Sequence, residues 1–197
     1  MSIQQALDVL NVALNLRKNK NMWTLNSERD EVRLYQQDCP DVCNLPCYMI
    51  ESLYSLSKDD MVDKIWLMNE EKAKESDAKI TMWREIEKGD NYRICEQYTS
   101  MNWPLYPRHL IYAQYKIDRD DNTYLVSFTI KHPTVKVNEK THVESICHLS
   151  VYGYEKVNDK HLNVWRILQV DPQGNITTSL ISYYSKTFMD RFVEWKQ

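Results

Sequence analysis

The chain has 197 residues, of which 43% are hydrophobic and 27% are charged, with a formal net charge of -3. This balance is typical of a globular protein with a sizeable core, and it excludes a disordered chain or a basic nucleic-acid-binding domain. Only three glycines are present, Gly89, Gly153 and Gly174, and they stand far apart. Because phosphate-binding loops need clustered glycines, dinucleotide-binding and Walker-type sites are excluded.

No Pro-, Gly- or Ser-rich linker divides the sequence, so residues 1–197 are expected to form a single domain. Polar residues Gln4, Gln5 and Asp8 interrupt the apolar pattern of the first segment, which is therefore expected to be neither a signal peptide nor a spanning helix. Five cysteines in a chain of this size favour reduced thiols, and the cytoplasm is the expected compartment.

The first predicted element is an amphipathic helix over about residues 2–17, packed outside the main body. Its apolar residues recur at helical spacing, at Ile3, Ala6, Leu7, Val9, Leu10, Ala13 and Leu14. Three short extended stretches follow, at 22–25, 31–35 and 47–53, and are expected to form a small antiparallel group. Ser57 and Asp60 then have the spacing of a capping box, which predicts a helix over about 57–75.

After this helix the apolar period changes to two, which predicts a meander of about six strands. The strands contain, in order, Ile80, Tyr92, Ile111, Tyr124, Val143 and Leu162. A final apolar stripe predicts a C-terminal helix, with Ile181, Tyr184, Phe188, Phe192 and Trp195 on one side. A long antiparallel sheet of this kind would curve around the last helix and grip it.

Polar residues occur on both alternating faces of several predicted strands. Around residues 92–99, for example, Glu96 falls on one face, while Arg93 and Gln97 fall on the other. A buried polar group costs about 1–3 kcal/mol unless it is paired. Two explanations stay open: ordinary pairing within the sheet, or a cavity that holds a ligand with a polar head.

The segment from Trp103 to Tyr112 resembles the W-P-x-x-x-R-D-x-x-Y motif of StAR-related lipid transfer (START) domains. Within that family it is most similar to the ceramide and phosphatidylcholine transfer proteins. Further landmarks occur in the family's order, at Trp23, Val32, Tyr35, residues 129–133 and residues 171–174. The resemblance extends over about residues 22–197.

The resemblance implies an α+β helix-grip fold, in which a long curved antiparallel sheet wraps around the C-terminal helix. It also implies a monomeric carrier that takes one lipid into an internal cavity, contacts membranes transiently, and uses neither catalysis nor a cofactor. No nucleic-acid partner is expected. By the family pattern the lipid-binding residues are Asp77, Gln97, Leu110, Tyr112, Gln114 and Ser127.

Trp103 and Pro104 resemble a loop that START domains insert into bilayers, and Ile176 is expected at the opposite lip of the cavity mouth. The indole ring suits the bilayer boundary because one edge is apolar and the N–H stays hydrated. Packing beneath its own loop is the alternative role for Trp103. Together with the C-terminal helix, these loops are predicted to form a lid.

Two other classes of function stay open at this point. An enzyme on the same scaffold would use Glu96, Asp77 or His109 as acid or base, and a sensing domain would have a filled cavity. Cys39, Cys43 and Cys47 lack a paired set of ligands, so no metal site is predicted.

Overall fold

This computed structural model describes residues 2–39, 42–102, 104–138, 140–174, 176 and 187–196. The first helix, predicted over 2–17, is confirmed as α1 (Ile3–Lys18), and a 3-10 turn at Lys20–Met22 follows it. The next elements are strands β1 (Thr24–Arg29), β2 (Val32–Asp38) and β3 (Pro46–Tyr54), then helices α2 (Lys58–Trp66) and α3 (Glu70–Ser76).

The second half of the chain is mostly strand. Its elements are β4 (Ile80–Lys88), β5 (Tyr92–Thr99), β6 (Arg108–Arg119), β7 (Asn122–Thr129), β8 (Val143–Glu144), β9 (Ile146–Lys156) and β10 (Leu162–Asp171). Residues 187–194 are helical and form the C-terminal helix. Two of the residues predicted for its apolar stripe, Ile181 and Tyr184, lie outside the described residues.

The described strands form one sheet in the order β1-β2-β3-β10-β9-β7-β6-β5-β4, with β8 beside β6. All neighbours along this path are antiparallel, and β8 pairs with β6 in parallel. The predicted antiparallel pairing of the three N-terminal strands is confirmed, and β3 also pairs with β10 along seven residue pairs, from Leu162↔Tyr54 to Leu168↔Tyr48. The N-terminal strands thus extend the main sheet.

The helix predicted over 57–75 is in fact two helices. Ser57 caps α2 as expected, since its hydroxyl accepts a hydrogen bond from the Asp60 backbone N–H at 3.1 Å. The chain then leaves the helix at Leu67, and Asn69 starts α3 by accepting a hydrogen bond from the Lys72 backbone N–H at 2.9 Å. This second N-cap is the sequence signal that separates the two helices.

Helices cover both faces of the sheet. On what we call the outer face, Ala6, Leu10 and Ala13 of α1 belong to one hydrophobic cluster with Ile94 and Ile111. On what we call the inner face, a second cluster brings α2 and the C-terminal helix against the strands. It includes Met61, Ile65, Tyr152, Leu168, Met189 and Phe192. Alternating side chains of one strand therefore belong to two separate cores.

Gly153 on β9 lies directly opposite Trp165 on β10. A Cβ atom at Gly153 would come within 2.1 Å of the indole, so a side chain there would force the ring to move. The space lets Trp165 lie fully buried on the outer face, with the guanidinium of Arg17 from α1 at 4.8 Å from the ring centroid. The glycine is thus required by packing.

Candidate ligand-binding site

A cavity of about 300 Å³ lies between the inner face of the sheet and α2, α3 and the C-terminal helix. Apolar side chains from all of these elements contribute to its wall: Ile65, Met68, Ala73, Ile80, Leu110, Leu168, Val170 and Phe188. The volume is at the lower end of the usual range for small-molecule sites, about 300–1,000 Å³. The interior is therefore not completely filled by side chains.

All six residues predicted to bind lipid line this cavity: Asp77, Gln97, Leu110, Tyr112, Gln114 and Ser127. Five of them come together because β5, β6 and β7 are neighbours, and because every second residue of a strand points to the same face. Asp77 joins them from the end of α3. Leu110 lies opposite Gln97, and Gln114 lies opposite Ser127. Their role in binding a lipid stays a prediction.

A row of polar side chains crosses four adjacent strands at the end of the cavity away from its mouth. The ladder pairs Arg93 with Gln114, Gln114 with Ser127, and Ser127 with Ser150. Within this polar row, the Gln114 amide donates a hydrogen bond to the Ser127 hydroxyl at 3.0 Å. The Gln114 carbonyl oxygen accepts from Arg93 at 2.9 and 2.7 Å. Pairing within the sheet, one of the two explanations left open, therefore holds for Gln114.

Gln97, Asp77 and Tyr112 are nearer the mouth and are paired less completely. The Gln97 amide donates to the Thr99 hydroxyl at 3.0 Å, and the Gln97 carbonyl oxygen has no partner among the described residues. The Asp77 carboxylate accepts from the Lys79 backbone N–H at 2.9 Å. The Tyr112 hydroxyl accepts from the Trp83 indole at 2.9 Å, and burial raises the pKa of Tyr112 so that it stays a neutral phenol.

Arg93 is a buried cation that the sequence reasoning did not assign to the site. Its side chain is 2% exposed and lies between the indole rings of Trp66 and Trp83. The central carbon of the guanidinium is 5.2 Å from the ring centroid of Trp66 and 5.3 Å from that of Trp83. Besides Gln114, it donates to the backbone carbonyls of Ile65 at 2.8 Å and Met68 at 3.3 Å. Arg93 thus ties the end of α2 to the sheet.

Two more arginines of the cavity wall were missed by the sequence reasoning. Arg166 projects from β10 and Arg191 from the C-terminal helix, and both line the cavity. The signal for Arg166 was present, since it interrupts the apolar alternation Leu162, Val164, Leu168 at an inner-face position. For Arg191 we find no local signal.

The mouth of the cavity is formed where β5 ends, β6 begins and β10 ends. Ile176 is half-buried and lines the cavity there, whereas Pro104 is exposed and does not contribute to the wall. Trp103 lies outside the described residues. Arg108 joins the two lips, because it starts β6 and donates to the carbonyls of Pro172 at 2.6 Å and Gln173 at 3.1 Å.

Two of the three residues considered for an enzyme, Glu96 and His109, lie on the outer face of the sheet. Glu96 and His109 are 2% and 0% exposed, and Oε1 of Glu96 is 2.8 Å from Nε2 of His109. Both alternate with cavity residues of β5 and β6, so they point to the outer face. Of the three residues considered for catalysis, only Asp77 lines the cavity.

Glu96 is expected to make stability depend on acid pH. Burial raises the pKa of Glu96, but hydrogen bonds from Arg84 at 2.6 Å and from His109 outweigh it and hold the pKa below its ordinary value of 4.5. The stabilisation is therefore complete above about pH 4.5 and is lost as the pH falls through the lowered value. We expect Glu96→Gln to reduce the free energy of unfolding by about 1–3 kcal/mol at pH 7.

Urea denaturation of both proteins from pH 7 to pH 3 checks this expectation. The difference in the free energy of unfolding between wild type and Glu96→Gln should shrink at low pH, as the wild-type carboxylate takes up its proton. Glu75→Gln, at an exposed position on α3, is the control and should leave the curve unchanged. A difference that stays constant over the whole range would contradict the expected role of Glu96.

Cysteine and the other possible metal ligands contribute little to the cavity wall in the described part of the chain. Burial raises the pKa of Cys147, the one cysteine lining the cavity among the described residues, to about 12, so its thiol stays protonated. No three His, Cys, Asp or Glu side chains of the described residues come close enough together to hold a metal ion.

None of the described helices combines the length and the apolar character needed to cross a bilayer.

Comparison with known proteins gives a clear result only at the level of structure. No protein-family profile matches the sequence, and no curated protein matches it either. Among solved structures, human StAR-related lipid transfer protein 5 superposes with a TM-score of 0.85 and 14% identity, over 98% of this chain and 94% of that chain.

Two further structures show the same architecture. Human STARD10 gives a TM-score of 0.76 at 16% identity, over 89% of this chain and 73% of that chain. A STAR-related lipid transfer protein from Xanthomonas axonopodis gives 0.73 at 13%, over 89% and 97%. The predicted α+β helix-grip fold is therefore confirmed, and it is the fold of START domains. Identities this low establish the fold alone, so the closer likeness to the ceramide and phosphatidylcholine carriers stays a prediction.

Proposed function

We propose that this protein binds one lipid of the ceramide or phospholipid type in its cavity and transfers it between membranes without catalysis. The observation that carries the proposal is the cavity of about 300 Å³ between the sheet and the C-terminal helix, with apolar walls and a polar row at its inner end. A fold shared with lipid transfer domains supports the same function. In this proposal the protein acts as a cytoplasmic monomer that meets membranes transiently.

The energetics of lipid transport explain why such a carrier needs an enclosed site. A two-chain lipid has about 30 methylenes, and at about 0.8 kcal/mol each, exposing them to water costs on the order of 25 kcal/mol. The carrier must cover nearly all of this surface during transfer. In our proposal the C-terminal helix moves away to admit the lipid, and the cavity of about 300 Å³ widens around the chains as the helix closes over them.

Unused hydrogen-bonding groups near the mouth are available to polar groups of the lipid that lie there. The Gln97 carbonyl oxygen is available as an acceptor for a hydroxyl or amide of the lipid, and Asp77 supplies a carboxylate near the mouth. Leu110 and Tyr112 would contact the chains between these groups and the polar row. The outer-face position of Glu96 and His109 and the protonated Cys147 favour a carrier over an enzyme.

Native mass spectrometry tests the function directly. The purified protein is incubated with vesicles of mixed phospholipids, ceramide and fatty acid, separated from them, and weighed under non-denaturing conditions. We expect a complex with one lipid per chain, and transfer of that lipid to acceptor vesicles without change in its mass. Recovery of protein without any lipid would refute the proposal, and a chemically altered lipid would indicate an enzyme.

The loop between β5 and β6 is expected to dock on the membrane. We expect Trp103→Ala to reduce vesicle binding and the rate of lipid transfer at least several-fold, because the indole no longer anchors the loop at the interface. Both quantities are measured with sedimented vesicles and a fluorescent lipid. Val157→Ala is the control, since Val157 is 57% exposed in the hairpin between β9 and β10, at the end of these strands away from the mouth. Equal effects of the two substitutions would contradict the docking role.

A further inference from the structure

The arginines of the cavity wall differ in how fully their charge is compensated. Arg93 is engaged by Gln114 and two backbone carbonyls, and the Glu85 carboxylate lies 3.8 Å from its Nη1. Arg166 and Arg191 line the same cavity, and within the described parts of the chain neither forms an ion pair with a carboxylate. The cavity therefore contains positive charge that the described residues leave unpaired.

Arg166 keeps most of its donors available. Its Nε and Nη2 both approach the single hydroxyl oxygen of Ser150, at 3.2 and 3.0 Å. A guanidinium has five N–H donors, so three of them, two on Nη1 and one on Nη2, have no acceptor among the described residues. Since Arg166 lines the cavity, these donors are available to a ligand.

Aromatic rings hold the Arg166 guanidinium in place. Its central carbon is 4.7 Å from the ring centroid of Tyr152 and 5.6 Å from that of Phe188. Rings of this kind stabilise the cation through its flat face and leave the N–H edge free. That edge matches the two oxygens of a carboxylate or phosphate, which a guanidinium binds with two parallel hydrogen bonds.

Arg191 adds a second cation to the same region. It projects from the C-terminal helix, and its Nη2 donates to the hydroxyl of Ser76 on α3 at 2.6 Å. Asp77 is the one acidic residue among the described residues of the cavity wall, and its carboxylate already accepts from the Lys79 backbone N–H. An anionic ligand would thus meet attraction from two cations and little repulsion.

We propose that Arg166 and Arg191 bind the anionic headgroup of the lipid, a carboxylate or a phosphate, beside the polar row. This inference rests on the proposed function and narrows its substrate class to anionic lipids. Binding at this point places the head beside Ser150 and Tyr152, with the chain directed along the apolar wall toward Leu110 and the mouth. A neutral lipid would leave both guanidinium groups without a counter-charge.

The test compares ligands that differ only in the head. Dissociation constants are measured by titration calorimetry for palmitic acid, hexadecyl phosphate and hexadecanol, and for inorganic phosphate without a chain. We expect the wild type to bind the acid and the alkyl phosphate at least tenfold more tightly than the alcohol. Arg166→Gln should remove at least tenfold affinity for the two anions and leave binding of the alcohol unchanged. The affinity of Arg166→Lys for the two anions should lie between that of the wild type and that of Arg166→Gln, since an ammonium keeps the charge but loses the two-donor edge.

Arg119→Gln is the matched control, because Arg119 is exposed at the end of β6 and outside the cavity. It should bind all ligands as the wild type does. If Arg166→Gln does not fold, as judged by circular dichroism, Arg191→Gln provides the same comparison from the helix side. A reduction of anion affinity with unchanged alcohol binding is expected there too.

The possible failures can be distinguished. Equal wild-type affinity for acid, phosphate and alcohol would overturn the headgroup assignment and leave the lipid-binding function standing. Binding of inorganic phosphate as tight as that of hexadecyl phosphate would identify a site for a free anion and also overturn the assignment. If no ligand with a chain binds, the proposed function itself fails.

Discussion

Leu110→Trp is expected to abolish lipid retention while the protein stays folded. Leu110 is half-buried, lies opposite Gln97, and projects into the cavity. An indole there would occupy space that the lipid chain needs. If it excludes about four methylenes, the affinity falls by about 3 kcal/mol at ~0.8 kcal/mol each, which is a change of about 100-fold.

Retention is measured by native mass spectrometry after incubation with vesicles, and folding is measured by thermal denaturation. The melting temperature should change little, because the new ring enters empty space and not a packed core. Leu53→Trp is the control: it introduces the same chemical change on a strand, at a position that is 51% exposed and outside the cavity. A folded Leu110→Trp protein that retains lipid as well as the wild type would show that the cavity is not the binding site.

Local sequence patterns were sufficient for the elements that depend on neighbouring residues. The Ser57 cap, the alternation of β5 and β6 and the apolar stripe of α1 each depend on spacings of two to four residues. The same alternation placed Gln97, Leu110, Tyr112 and Gln114 on one face, once the family resemblance had fixed which face is inside. Their position on the cavity wall follows from this phase.

The pairing of β3 with β10 could not be predicted in the same way. Tyr48 and Leu168 lie opposite each other although more than 100 residues separate them in the chain, so no local pattern records their register. A register shift in β9 also escaped the prediction of the strand around Val143, because local alternation does not show where a strand changes face. Gln169 faces Leu149 while Val170 faces Cys147, so the alternation changes face at this irregularity. Cys147 lines the cavity and Leu149 belongs to the outer core.

The residues of the site that were missed are those whose partners come from distant elements. Arg93 depends on the end of α2 for its acceptors, and Arg191 depends on α3 for Ser76. A buried charge is tolerated where acceptors surround it, and these acceptors become visible only when the helices are docked on the sheet. The sequence showed the polar residues but not what compensates them.

Arg93→Met is expected to cause the largest loss of stability, about 3–5 kcal/mol of the free energy of unfolding. The methionine chain can still pack between Trp66 and Trp83, but the Gln114 oxygen and the carbonyls of Ile65 and Met68 lose their donor. Arg93→Lys should lose less, because it keeps the charge but cannot reach several acceptors at once.

Urea denaturation gives these values, and hydrogen exchange shows where the protection is lost. We expect faster exchange first at the amides of α2, since Arg93 is what ties the end of this helix to the sheet. Arg119→Met is the control for removal of a charge at an exposed position and should stay within about 0.5 kcal/mol of the wild type. A loss below about 1 kcal/mol for Arg93→Met would mean that water replaces the guanidinium as the donor to its acceptors. In that case water reaches the inner end of the cavity, and Arg93 does not exclude it.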